Sequence, residues 1–157
     1  MSRHPVCISV SSVQEDGGLR ENTRREHRGT WHEREGVAYL LYDDDEGCAT
    51  TLRLGRDEVR LYRRGALNSW QDFRQGEWTG GLYALGAGRQ GEMVLRVMTH
   101  ELAWTATAHG GQLTLVYDLF TAASAAADAD PTALSLGRFT LDLAWTAQPL
   151  PTPEGNA

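Results

Sequence analysis

The stretch EHRGTWHEREGVAYLLYDDDEGCATTLRL, residues 26 to 54, decides the fold. Two turn-forming clusters, Arg34-Glu35-Gly36 and the acidic run that ends at Gly47, divide it into three segments in which apolar and polar residues alternate. Period-two alternation puts successive side chains on opposite faces, which is the pattern of a half-buried strand. Connections this short join antiparallel neighbours as hairpins. Arg34-Glu35-Gly36 suits a three-residue loop with Gly36 in the left-handed conformation. That register sets Trp31 opposite Tyr39, on the face shared with Val37 and Leu41, and points Trp31 into the interior. Gly29 then leaves room where the strand bends.

The same alternation runs outward in both directions. PVCISVSSV places Val6, Ile8 and Val10 on one face, and QEDGG ends that first strand, residues 5 to 14, with turn residues. A polar strand from about Glu21 to Glu33 follows, and beyond residue 54 come EVRLYRR, ALNSWQDF, WTGGLYAL, GEMVLRVMTHELAWTATA, QLTLVYDLFT and SLGRFTLDLAWTA. Long apolar stripes at helical spacing are missing. The fold class is therefore all-β: a closed or nearly closed antiparallel meander β-barrel of about ten strands, since closure removes the exposed edges that invite aggregation. One domain spans residues 1–148. Residues 122–131 (AASAAADADP) read as a surface excursion rich in Ala and Asp, and residues 149–157 as a mobile C-terminal tail.

Leu-Ala-Trp-Thr-Ala occurs twice, in THELAWTA at 99 to 106 and TLDLAWTA at 140 to 147. In the second copy Phe139, Leu141, Leu143 and Trp145 share a face, so by correspondence Leu102 and Trp104 point inward. Upstream of the first copy Leu95, Val97 and Thr99 alternate in the opposite phase. A single-residue bulge near His100 reconciles the two halves.

A chain of 157 residues with 41% hydrophobic content fits one core. Its formal charge of -6 argues against nucleic acid or an anionic membrane surface as partner, because both need clustered positive charge. All fifteen basic residues are Arg, a bias that codon usage explains more simply than anion recognition does. Cys7 and Cys48 are lone thiols, and residues 1 to 25 hold no apolar signal-peptide core, which points to the cytoplasm. No apolar run approaches the roughly 18 residues of a transmembrane helix.

Gly29 and Trp31 have the G-x-W spacing with which lipocalins open their barrels. With 17 Gly and 5 Trp, however, chance alone supplies about half a match, and here a complete strand precedes the motif. A broader pattern lies in the middle of the chain: Arg63 and Gly65 after a short strand, Phe73 eight residues on, Tyr83 ten further, Thr99 near the bend, and Tyr117 in Leu-x-Leu-x-Tyr. This pattern resembles the YwiB-like family, uncharacterised small bacterial proteins with a calycin-like, lipocalin-like β-barrel. The resemblance runs from about Val6 to Trp145. It departs after Tyr83, where Ala84-Leu85-Gly86 stands in place of Thr-Pro-x-Gly. What it implies is a fold, with no activity attached.

Arg63 is the polar residue that the pattern singles out, because EVRLYRR sets it in phase with Val59 and Leu61. A guanidinium on a core face must be paired, since isolated charge burial costs several kcal/mol or more. It is an anion clamp at the barrel mouth, one half of an internal salt bridge, or a side chain at a strand end that reaches water before Gly65. Trp31, Tyr39, Tyr83 and Tyr117 supply aromatic walls if they face inward, and suit a filled core equally well. Thr99 joins these candidates through the resemblance alone. His27 and His32, five apart on a strand, face opposite ways, and no spacing points to a metal or to any other cofactor. The run DDDEG, residues 43 to 47, lacks the length of a calcium loop and reads as a solvated turn.

Two functions remain open. The barrel binds a small, partly apolar, anionic ligand in its interior, or it is packed solid and works through its surface as an interaction or regulatory module. A third, an enzyme using the cavity, has no motif behind it. Because neither residues 122–131 nor residues 149–157 supply alternating core positions, deleting both is expected to shift the melting temperature little in thermal denaturation. A large loss would make the Ala-rich stretch part of the core.

Overall fold

A strand pattern from end to end leaves the backbone one way to pair its N–H and C=O groups, laterally with its neighbours. The computed structural model describes residues 3–45, 47–85, 92–122 and 134–148. Its strands are β1 (His4–Asp16), β2 (Leu19–Arg34), β3 (Val37–Asp43), β4 (Cys48–Leu54), β5 (Val59–Gly65), β6 (Leu67–Phe73), β7 (Trp78–Leu85), β8 (Met93–Thr107), β9 (Gly110–Ala122) and β10 (Ser135–Ala147). Each pairs antiparallel with its neighbours in sequence, and β1 pairs with β10, so the meander closes into a ten-stranded barrel. This is the expected fold, and it is consistent with a calycin-like architecture. No helix among the described residues is long and apolar enough to cross a membrane.

The alternating apolar residues fill the middle of the barrel. Leu40, Leu52, Leu54, Val59, Phe73, Leu95, Leu113, Leu115 and Leu143 are at most 2% exposed, which leaves the centre packed with side chains. Each such burial contributes about 1.5–3 kcal/mol relative to exposure. Trp31 and Trp145 stack at one end of this core, with ring centroids 5.0 Å apart. Phe73, Tyr117 and Phe139 form a second aromatic run, with centroids 4.7 and 5.3 Å apart.

The β2–β3 hairpin differs from expectation by one residue. Arg34 pairs directly with Val37, so the loop is the two residues Glu35 and Gly36, both at positive φ (53° and 80°). This is the type I′ geometry, whose twist matches that of the flanking strands. The one-residue change turns β3 over. Trp31 still faces inward, now opposite Leu40, and Ala38 and Leu40 enter the core. Val37, Tyr39 and Leu41 turn outward, and Tyr39 stacks on His32 with centroids 4.9 Å apart. Burying Ala38 and Leu40 outweighs the strain of a glutamate at positive φ, about 1 to 3 kcal/mol.

The β8 bulge lies where the sequence puts it. Thr99 pairs with Tyr117 and Glu101 with Val116, leaving His100 as the extra residue. Leu95, Val97 and Thr99 face inward before it, and Leu102 and Trp104 after it. The β6–β7 turn braces the bend: the Gly76 amide donates to the Thr99 carbonyl at 2.7 Å, and the Leu102 amide donates to Gln75 Oε1 at 3.0 Å. On the outer surface His100 Nε2 lies 2.7 Å from Asp118 Oδ2, and Arg138 donates to the same carboxylate. Those two partners, the hydrogen bond from Arg138 first, hold the Asp118 carboxyl below its usual range. At the far end of β9, Ala122 pairs with Val94, so the strand reaches one residue into the Ala-rich stretch. Residues 123–131 and the tail at 149–157 lie outside the described residues.

Gly29 marks a close approach of strands. A Cβ there would lie 2.2 Å from the Leu41 carbonyl oxygen and 2.7 Å from Ile8 Cδ1. Since backbone cannot yield as a flexible side chain does, Gly29→Ala is expected to cost about 1–3 kcal/mol or more in urea denaturation. A variant as stable as the native chain would mean that the strands are not this close.

Candidate functional site at the Arg63 end of the barrel

Arg63 is the last inward side chain of β5, before Gly65. In register around the wall, Thr50 on β4, Arg63, Ser69 on β6 and Tyr83 on β7 follow one another as cross-strand neighbours. Val59 and Leu61 precede Arg63 on the same face, and the row beyond it pairs Gly65 with the buried Cys48. The guanidinium finds Asp44, the first residue after β3. Arg63 Nη2 and Nε donate to Asp44 Oδ2 at 2.7 and 3.1 Å. The other carboxylate oxygen, Oδ1, accepts the Cys48 amide at 3.0 Å, and the Thr50 hydroxyl donates to Oδ2 at 3.3 Å. Asp44 thus ties the β3–β4 turn to the wall. With side-chain exposures of 21% for Arg63 and 13% for Asp44, the pair is screened by solvent only in part.

A cavity of about 250 Å³ opens beside this pair. Val10, Leu52, Leu61 and Leu141 give it an apolar floor, and Arg25, His27, Tyr42, Asp44, Thr50 and Arg63 a polar rim. His27 stacks on Tyr42 with centroids 4.8 Å apart. Burial, with the Asp44 carboxylate second and Arg63 opposing, pushes the Tyr42 hydroxyl up to about 12. It is therefore a neutral phenol across the physiological range. Arg25 reaches out of the cavity to Asp45, at 3.1 Å, on the exposed surface.

The six sequence candidates do not form one site. Arg63 and Tyr83 share the rim row. Thr99 and Tyr117 lie in the filled middle, Thr99 fully buried with no hydrogen-bond partner for its hydroxyl among the described residues. Burial alone holds the Tyr117 hydroxyl well above its usual range. Trp31 stands at the opposite end, and Tyr39 lies on the outer surface, a correction that follows from the two-residue hairpin. At the Trp31 end a larger opening, of about 690 Å³, is rimmed by Arg3, His4 and Glu33. Those rim residues are exposed, and the two indoles beneath stack on each other, so among the described residues no half-buried charge faces that space. His27 and His32 do point to opposite faces. Tyr42, Asp44 and His27 were missed as site residues. Alternation carried on from Leu40 finds Tyr42 and Asp44, once the loop has two residues.

Residues 8–130 match the family described as a domain of unknown function, DUF1934. The chain belongs to the DUF1934 family. The uncharacterized beta-barrel protein YwiB of Bacillus subtilis (strain 168) is 25% identical over 118 residues, 73% of this chain and 81% of that protein. The crystal structure of ywiB protein from Bacillus subtilis superposes with a TM-score of 0.75 at 21% identity, over 94% of each chain. The resemblance stated from Arg63, Phe73, Tyr83, Thr99 and Tyr117 thus holds for both family and fold.

Removing Arg63 takes from a partly buried carboxylate its charged partner, while the Cys48 amide and the Thr50 hydroxyl still donate to it. Arg63→Met is expected to cost about 1–3 kcal/mol in chemical denaturation. Adding Asp44→Asn should recover part of that loss, because the uncompensated charge goes with it. Equal stability of Arg63→Met and the native chain would leave the pair without energetic weight.

Proposed function

We propose that the chain binds a small, partly apolar, anionic molecule at the Arg63 end of the barrel, its apolar part on Val10, Leu52, Leu61 and Leu141. One observation carries the reading. In a chain of net charge -6, the charged and titratable groups described on this cavity's rim are the guanidiniums of Arg25 and Arg63, the His27 imidazole and the carboxylate of Asp44, while Asp45, the partner of Arg25, stands on the exposed surface. A local excess of donors at the mouth of an apolar recess is the chemistry that orients a carboxylate head. The volume suits a ligand of modest size seated in the mouth, since the filled middle leaves no deep chamber. We assign the protein to the reducing cytoplasm, supported by the two free thiols of Cys7 and Cys48, and to neither nucleic acid nor membrane.

The filled middle also favours a second reading, a solid barrel acting through its surface. Leu41, Thr51, Tyr62, Trp70 and Leu82 follow one another in register on the outer face. The Arg60 guanidinium lies over both Tyr62 and Trp70, at 5.7 and 5.2 Å, and is paired with Asp72. An interaction or regulatory module would use such a face.

A thermal-shift screen of short and medium-chain carboxylates separates the two. A ligand of the native state stabilises it by RT ln(1 + [L]/Kd), about 2.7 kcal/mol at a hundredfold excess over Kd. Arg63→Met is expected to abolish the shift, while Trp31→Phe at the opposite end retains it. A screen in which no carboxylate raises the melting temperature overturns ligand binding and leaves the surface reading.

A further inference from the structure

We infer that Asp44 is a built-in occupant of the anion position, and that a bound carboxylate takes its place on Arg63 and thereby releases the β3–β4 turn. The inference rests on the ligand-binding reading above and adds its regulation.

The geometry of the pair is the starting point. A guanidinium and a carboxylate interact most strongly as two parallel hydrogen bonds, one to each oxygen. Arg63 instead sends both Nη2 and Nε to the single oxygen Oδ2 of Asp44. The second oxygen is committed elsewhere, to the Cys48 amide at 3.0 Å. Held by that amide, Asp44 meets the two N–H groups of Arg63 through Oδ2 alone. A ligand carboxylate on the cavity floor has no such tether and can take the forked arrangement. The ligand therefore competes with a partner that is geometrically handicapped.

Electrostatics then decides between sharing and exchange. Asp44 and Arg63 line the same cavity of about 250 Å³, so a second carboxylate at Arg63 would lie against the first in a half-buried space. Like charges at one site disfavour each other strongly where water screens them poorly. Asp44 stands in a turn, whereas Arg63 is anchored in β5 between two paired strands, so the exchange moves Asp44.

The turn depends on what Asp44 holds. Its amide donates to the Cys48 carbonyl at 2.9 Å, and its carboxylate accepts the Cys48 amide and the Thr50 hydroxyl. Once the side chain leaves Arg63, repelled by the incoming carboxylate, the Cys48 amide loses its acceptor. Asp45, next in the chain, carries the surface pairing with Arg25. An event inside the mouth is thus read out on the exterior, where the turn is open to a partner or to solvent.

The test uses hexanoate as probe on the full chain, with calorimetric titration for binding and amide hydrogen exchange for the turn. In the native chain, saturating hexanoate is expected to speed exchange of the Cys48 amide at least about tenfold while core amides such as Leu52 slow or hold. Asp44→Asn keeps an oxygen for the Cys48 amide and removes the competing charge, so it is expected to bind hexanoate about tenfold more tightly. Binding with the Cys48 amide unchanged or better protected overturns the exchange and leaves ligand binding standing. Binding by Asp44→Asn but not by the native chain also overturns it, since Asp44 then never yields. If Asp44→Asn binds no more tightly than the native chain, Asp44 is not a competitor. Absence of binding to either chain removes the ligand reading itself, and this inference with it.

Discussion

Everything in this structure depends on the pairing of β1 with β10, from Val6 opposite Ala147 to Glu15 opposite Arg138. A meander left open would present two strands with unpaired backbone groups, and those groups pair with whatever chain comes near. Joining the two ends satisfies them and gives the molecule an inside. Once the ring is closed, each strand has one face with nowhere to go but the common interior. The alternation of Val6, Ile8 and Val10 on β1 and of Leu141, Leu143 and Trp145 on β10 then becomes a packing problem in a fixed volume.

That volume is solved with large side chains in the middle and with glycine where backbones approach. Trp145 lies over β9 because Gly111 has no Cβ, which would stand 2.4 Å from the indole ring. The related Trp104, on the other side of β9, donates its indole N–H to the Gly55 carbonyl at 2.8 Å. The repeated Leu-Ala-Trp-Thr-Ala thus faces inward on both strands that flank β9, two residues out of step, with Trp104 opposite Leu113 and Trp145 opposite Gly111. Filling the middle pushes whatever polar chemistry the barrel has to its ends. At the Arg63 end the ion pair of Arg63 with Asp44 stands beside the apolar side chains of Leu52 and Leu61.

This ion pair has a double character. As structure, it ties a turn to the wall and compensates a charge that the core face could not otherwise hold. As chemistry, it keeps a guanidinium poised at the edge of an apolar recess, with a partner whose second oxygen is engaged elsewhere. A pair fully buried with ideal geometry would be rigid, and one fully exposed would be worth little. Half-burial places this pair between those limits.

The sequence by itself determined the all-β class, the order of ten strands, the closed meander and the inward phase of most of them. It also located the bulge at His100, because two halves of one strand alternated in opposite phase and only an extra residue reconciles them. It singled out Arg63, since a charge in phase with Val59 and Leu61 is a local contradiction that needs a partner. Only the tertiary structure decided what that partner is. Whether Arg34-Glu35-Gly36 makes a three-residue or a two-residue loop is a choice between turns of similar local cost. The burial of Ala38 and Leu40 against the rest of the core settles it. That one-residue choice turned Tyr39 outward, and brought Tyr42 and Asp44 inward to the Arg63 mouth. Alternation records which residues share a face; which face becomes the inside is set by contacts with strands far away in the chain, and a period of two leaves a slip of one residue nothing local to oppose it.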